Sequence, residues 1–216
     1  MSSNHPIHPF VAEYLGTALL MLVVAGSGIM GESLSQGNAA LALLANSLAT
    51  GCGLYVLITL LVPISGAHFN PLVSILVWRK NLMSKTFFGY VLAQLLGAIS
   101  GVWLTHVLFS LPVFQLSLKV RDGLGIWVSE FVSTLILISV IYLGVKYSKE
   151  KLPMLVAMSV TAGYWFTSST FFANPAITLA RSLTNTFVGI SPLDIVGFIA
   201  AQFVAILFIL FLTRKS

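Results

Sequence analysis

Two short stretches decide how this sequence folds: Ser65-Gly66-Ala67-His68-Phe69-Asn70-Pro71-Leu72 and Phe171-Phe172-Ala173-Asn174-Pro175-Ala176. Each ends in an Asn-Pro pair that opens a short apolar run, near residues 71–79 and 175–186. Asn is a good helix N-cap, and Pro suits the first helical position because an N–H there has no intrahelical partner anyway. Both runs therefore start helices. Both helices are too short to cross a bilayer, which takes about 20 apolar residues, so they read as re-entrant or interfacial segments.

The rest of the chain supplies the crossings. Of 216 residues, 57% are hydrophobic and 8% charged, and the mean hydropathy is +0.98. A soluble domain carries about 25% charged residues, so the composition excludes a soluble globular protein, and its apolar content excludes disorder. Long continuous apolar runs, in place of short alternating ones, exclude a β-barrel. No Asp, Glu, Lys or Arg falls in the 46 residues between Glu32 and Arg79, the 33 between Lys85 and Lys119, or the 29 between Lys151 and Arg181. With turns placed at Gly, Pro, Asn and charges, spans are predicted near 9–30, 39–62, 84–109, 124–146, 152–168 and 193–213. Residues 1–216 then form one transmembrane domain, with no room for a separate soluble one.

Six spans put both termini on one side. Eight of the 11 Lys and Arg share that side, while Lys119, Arg121 and Arg181 fall opposite. Cytoplasmic loops collect positive charge, which predicts a multi-pass inner-membrane protein with both termini cytoplasmic. The same rule accounts for the net charge of +5 without nucleic acid as a partner. No basic stretch precedes the first apolar run, so a cleaved signal peptide is not expected. His5 and His8 sit in this leading segment, at the cytoplasmic mouth or in a loose tail. The single cysteine, Cys52, excludes an intramolecular disulfide and a cysteine metal cluster. It lies two residues after Thr50, roughly 200° around a helix, and is expected to be a buried small hydrophobe.

The order of features repeats. Ala12-Glu13-Tyr14-Leu15-Gly16-Thr17 returns as Ser129-Glu130-Phe131-Val132-Ser133-Thr134, 117 residues on. The Asn-Pro pairs are 104 apart, and Ala93-Gln94-Leu95 returns as Ala201-Gln202-Phe203, 108 on. Each copy, about 9–110 and 124–213, holds three spans and one half-helix. Three is odd, so the second copy enters the membrane inverted. Inverted repeats place the functional site near the bilayer midplane, where broken helices meet. There each half-helix presents unpaired N–H groups and a positive dipole end. Such an end must line a polar passage or be covered by protein. A passage of this kind repels cations and protons and admits neutral solutes. Asn70 and Asn174 supply side-chain donors, while Gly66, Ala67, His68 and Phe69, with Phe171, Phe172 and Ala173, offer a ladder of backbone carbonyls.

Residues 12–17, 65–71, Ala93-Gln94-Leu95-Leu96-Gly97-Ala98 and Asn174-Pro175-Ala176 together resemble the aquaporin, or major intrinsic protein, family over nearly the whole chain. The resemblance implies an all-α membrane protein of six transmembrane helices plus two re-entrant half-helices in an inverted 3+3 repeat. It implies a homotetramer with one pore per protomer, surrounded by membrane lipid, that conducts water or small neutral solutes passively and without a cofactor. It places the pore constriction at Asn70, Pro71, Leu72, Asn174, Pro175 and Ala176. The selectivity filter falls on Thr50, Phe171, Ile177 and, in the fifth span, Ala162 or its neighbour Gly163.

The sequence departs from the family pattern twice. Leu72 replaces the usual Ala and puts a larger apolar side chain beside the constriction. Ile177 stands where water- and glycerol-conducting members usually carry Arg. The expected filter, Thr50, Ala162 or Gly163, Phe171 and Ile177, has neither that cation nor an imidazole, so its mouth is expected to be more apolar and wider. The segment 174–181 is similar to that of bacterial aquaporins associated with arsenic-resistance operons, which points to trivalent arsenicals such as arsenous acid or methylarsenite. A water and glycerol channel is the alternative. Arg181, one turn beyond Ile177 on the same face, either leans back to return part of the missing charge or snorkels to the interface.

Glu13 and Glu130 are ionisable groups at span depth, where such residues are functional by default. As loop supports they would accept N–H groups from the segments before Asn70 and Asn174; as a proton relay they would make a coupled transporter. Gln94 and Gln202 are placed beside them or along the spans. No nucleophile–base pair appears at depth, so no enzyme is expected. His68 has no Cys or His partner at ligand spacing, so no metal site is expected.

Overall fold

In the computed structural model, which describes residues 7–79 and 81–214, each long apolar run becomes one helix whose start is set by a capping side chain or a turn. α1 (Pro9–Leu34) begins at His8, whose Nδ1 accepts from Phe10 N at 3.3 Å; His5 lies outside the described residues. α2 (Ala39–Ser65) starts at Asn38, which accepts from Leu41 N, and ends at Gly66 in the left-handed region. α3 (Pro71–Val77) is the first half-helix. α4 (Lys85–Leu108) starts at Ser84, which accepts from Phe87 N. α5 (Leu124–Tyr147), α6 (Leu152–Phe166), the second half-helix α7 (Pro175–Arg181) and α8 (Ile195–Leu212) follow. There is no strand among the described residues.

Five of the six long helices are apolar and long enough by themselves to cross a bilayer. The exception is α6, whose 15 residues rise about 22 Å. A 3-10 turn at Lys149–Lys151 precedes it. The chain leaves α6 at Thr167, whose backbone is extended, to begin a re-entrant loop. The fifth span therefore stops short of the expected 168. The second half-helix stops at Arg181 instead of near 186, because Ser182 N turns back onto Leu179 O at 3.1 Å and closes a tighter final turn.

The long helices pack by backbone approach. A Cβ on Gly97 would lie 2.3 Å from Tyr14 O, and one on Gly101 would lie 2.3 Å from Ala18 O. So α4 crosses α1 at a distance that only glycine permits. The outward faces carry exposed Leu60, Leu92, Val107, Leu207 and Phe211. With helices this apolar, such faces belong against lipid, and the chain is a multi-pass membrane protein. Cys52 is on such a face and is exposed, contrary to its expected burial. The turn of α2 that buries Thr50 carries Cys52 to the other side.

Candidate functional site: a cavity between two re-entrant loops

Both loops that lead to the half-helices are irregular in the same way. Gly66, Ala67 and Phe69 have positive φ (86°, 49° and 49°), and so do Thr170, Phe171 and Ala173 (59°, 55° and 47°). Each pair is 104 residues apart. Five of the six are not glycine, and such conformers cost about 1–3 kcal/mol each and persist only where the surroundings impose them. The carbonyls of residues 66–68 and 170–172 accept no hydrogen bond among the described residues.

Two carboxylates impose that shape. Glu13 Oε1 accepts from Ser65 Oγ (2.7 Å) and His68 N (2.9 Å). Its Oε2 accepts from Phe69 N and Gln94 Nε2, both at 2.8 Å. In the second copy Glu130 Oε1 accepts from Ala173 N (2.6 Å) and Gln202 Nε2 (2.7 Å). Gln94 and Gln202 also donate to the half-helices, at Ser74 Oγ (3.0 Å) and Thr178 Oγ1 (2.8 Å). The two cradles differ in one respect: Glu130 Oε2 is buried with no partner among the described residues. Neither carboxylate borders the cavity described below.

At the centre each Asn does two jobs. Its Oδ1 caps its own half-helix, accepting from Leu72 N at 2.9 Å or from Ala176 N at 3.0 Å. Its Nδ2 crosses to the other loop. Asn70 donates to Ala173 O and Asn174 donates to Phe69 O, both at 2.8 Å. Each amide nitrogen keeps a second hydrogen, and both residues border the cavity.

The cavity is lined in stripes of four-residue spacing. On α6 these are Leu152, Val156, Val160 and Tyr164, which span about 18 Å of helix rise. On α2 they are Thr50, Leu54 and Ile58, and on α7 Ile177 and Arg181. Val73 of α3 also lines it and is 104 residues from Ile177, so both repeats put a branched apolar side chain at this position. Phe171 and the loop residues Gly66, Ala67, His68 and Phe172 also border it, and α1 and α5 contribute aliphatic side chains such as Leu20 and Leu137.

Some expected residues lie elsewhere. Ala162 is exposed on the outer face of α6 and does not line the cavity. It is two residues from Val160 and Tyr164, about 200° around the helix. Tyr164 stands on the inner face instead, its hydroxyl 3.3 Å from Thr50 Oγ1. This replaces an expected small side chain by a large aromatic one. Gly163 does not line the cavity either; a Cβ there would lie 2.0 Å from Phe171 Cδ2, so its bareness seats that ring. Leu72 is fully buried in the core, away from the cavity, because α3 packs on α4, α5, α7 and α8. Pro71, Pro175 and Ala176 are buried in the half-helix starts and do not line the cavity, and Ala173 contributes its N–H and carbonyl to the bonds above. Tyr164 left one legible signal, the four-residue stripe from Leu152.

Cations gather at the Arg181 end. The Arg181 side chain is 2% exposed, so it does not snorkel. Its Nε donates to Val188 O, and its Cζ lies 3.4 Å from the Phe172 ring centroid. Arg121 approaches the same ring at 5.2 Å and donates through Nε to Gly189 O at 2.8 Å. Lys119 Nζ donates to Phe187 O at 2.6 Å. Burial pushes the Lys119 ammonium below its usual pKa, and the charges of Arg121 and Arg181 push it the same way, against the pull of Glu32. Burial also holds Arg121 down, to about 10. The loop that carries them is pinned to α4 through buried His106, whose ring bonds Val113 O and Thr184 Oγ1, both at 2.8 Å.

The chain is similar to known proteins. The family description Major intrinsic protein matches residues 1–204. Aquaglyceroporin AqpS of Rhizobium meliloti (strain 1021) is 50% identical over 193 residues, covering 89% of this chain and 82% of that protein. Propanediol uptake facilitator PduF of Salmonella typhimurium is 35% identical over 100 residues, 46% of this chain and 37% of that protein. The X-ray structure of the aquaglyceroporin from Plasmodium falciparum matches with a TM-score of 0.71 at 23% identity, over 92% of each chain, a likeness of fold.

Proposed function

The chain belongs to the major intrinsic protein family, and on that footing we propose that its passage suits trivalent arsenicals such as arsenous acid and methylarsenite, with or without water. It is a passive membrane channel for small neutral solutes and not an enzyme. The carrying observation is Ile177, which is buried, lines the cavity and offers no hydrogen bond from its side chain. A site built around a fixed cation charges a partly apolar solute for displacing bound water; an aliphatic wall does not. Arsenous acid is neutral near pH 7 and carries hydroxyls as a polyol does. The names of the relatives, an aquaglyceroporin and a propanediol facilitator, support a solute larger than water.

A water and glycerol channel is the second reading. Tyr164 favours it, because its ring narrows the passage beside Thr50 and its hydroxyl offers a polar contact. In either case the working unit is a homotetramer in the cell membrane, with both termini cytoplasmic and the Arg181 end outward. The positive-inside count supports that orientation, and the family resemblance supports the tetramer.

Stopped-flow light scattering on proteoliposomes tests the reading. A sucrose gradient reads water, and matched gradients of arsenous acid and glycerol read solutes. Re-swelling in arsenous acid faster than in glycerol, and faster than in protein-free vesicles, is the expected result. Equal rates for the two solutes reduce the assignment to a general solute channel. Water flux without solute flux refutes it.

A further inference from the structure

Ile177 and Arg181 are four residues apart on α7, and both line the cavity. About 6 Å of helix rise separates them. Thr50, Tyr164 and Ile177 contribute hydroxyl or aliphatic surface and no formal charge. Among the described residues, Arg181 is the one lining residue with a fixed charge. Its side chain is held at two points, the Val188 carbonyl and the Phe172 ring, while its two terminal guanidinium nitrogens have no partner among the described residues. A buried, anchored cation with unpaired donors beside a passage is a built electrostatic element. Arg121, against the same ring, adds to its positive potential.

We infer that selection in this channel is split between two levels: Arg181 turns away cations, hydronium included, while Thr50, Tyr164 and Ile177 rank neutral solutes by size and polarity. Here a neutral solute passes the aliphatic level without meeting the guanidinium at the same moment. Phe172 is a positioning residue, since its ring fixes where the guanidinium sits. The inference rests on the channel reading above and concerns the Arg181 end of the same passage.

The test is whether the two properties separate. In proteoliposomes an internal pH-sensitive dye reads proton leak under a potassium diffusion potential, and stopped flow reads urea and glycerol. Arg181→Gln is expected to raise the ratio of proton to urea permeability about tenfold or more, the effect of removing one unit charge from the wall of the passage. Arg181→Lys keeps the charge and stays near the unaltered ratio. Ile177→Ala is expected to shift the glycerol-to-urea ratio and to leave the proton ratio in place. An unchanged proton ratio in Arg181→Gln overturns the inference, and so does a rise of similar size in Ile177→Ala. Should Arg181→Gln fail to assemble, the unaltered protein decides, through urea and guanidinium, which share a planar shape and differ in charge. Passage of guanidinium as readily as urea overturns the split filter. Absence of urea and glycerol flux from the unaltered protein would instead refute the channel reading itself.

Discussion

The two carboxylate cradles look alike in sequence but are loaded differently, so the same substitution in each should have unequal effects. In Glu13→Gln the amide keeps one oxygen, and either orientation turns its NH₂ toward a backbone donor, His68 N or Phe69 N. That donor is then buried and unsatisfied, which costs about 1–3 kcal/mol. The bonds that remain lose their charge assistance, which adds about 1–2 kcal/mol. The sum is about 2–5 kcal/mol. In Glu130→Gln the amide oxygen can keep both Ala173 N and Gln202 Nε2. Its NH₂ then takes the place of Oε2, which has no partner to lose. Only the charge assistance goes, about 1–2 kcal/mol. A difference of about 2 kcal/mol corresponds to about 4–8 °C in Tm for a chain of this size. Fluorescence-detected gel filtration after heating in detergent reads it directly. Equal shifts, or a larger shift for Glu130→Gln, would refute the reasoning. Two variants with unchanged Tm and a lost pH-driven uptake would point to a proton relay instead.

The other predictions concern the cavity wall. In a Cys52→Ser background, Tyr164→Cys should be blocked by a negatively charged methanethiosulfonate reagent and Ala162→Cys should not, as read by solute flux; the reverse would return Ala162 to the wall. Gly163→Ala pushes a methyl into the Phe171 ring and should cost about 1–3 kcal/mol as overpacking. It should also change the ranking of neutral solutes, and an unaltered Tm with unaltered ranking would contradict the seating of that ring. Leu72→Ala should destabilise by about 2–5 kcal/mol, as core truncations do, without widening the passage; faster flux of larger solutes would show that Leu72 borders it after all.

Much of the architecture was legible because it is written in residues with strong local consequences. Asn and Pro announce a helix start, and a charge-free run of membrane length announces a span. The inversion follows from an odd number of spans in each repeat. The faces of the helices were harder to read. Around α2 and α7, Thr50 and Ile177 are tied to the Asn-Pro pairs by short spacings. On α6 the sequence leaves the register open between Ala162 and Gly163, and the polar contact that sets it, Tyr164 with Thr50, joins residues 114 apart. Leu72 follows Asn70 in sequence but points into the core because α3 is packed on several sides. Arg181 had two open readings, and what separates them is distant in sequence. The Val188 carbonyl and the Phe172 ring reach it through loops whose paths depend on the whole fold.

The crossed amides have a consequence for biosynthesis. Phe69 O has its partner on residue 174, and Ala173 O has its partner on residue 70. When the first three long helices have entered the bilayer, the loop before α3 still carries a carbonyl whose donor has not been translated. The crossed pair therefore cannot close until Asn174, 104 residues beyond Asn70, has left the ribosome. The centre of this channel is closed by a late, mutual event that neither repeat can complete alone. A chain truncated between α4 and α5 should insert into the membrane and keep the Glu13 cradle, yet leave Phe69 O without its donor.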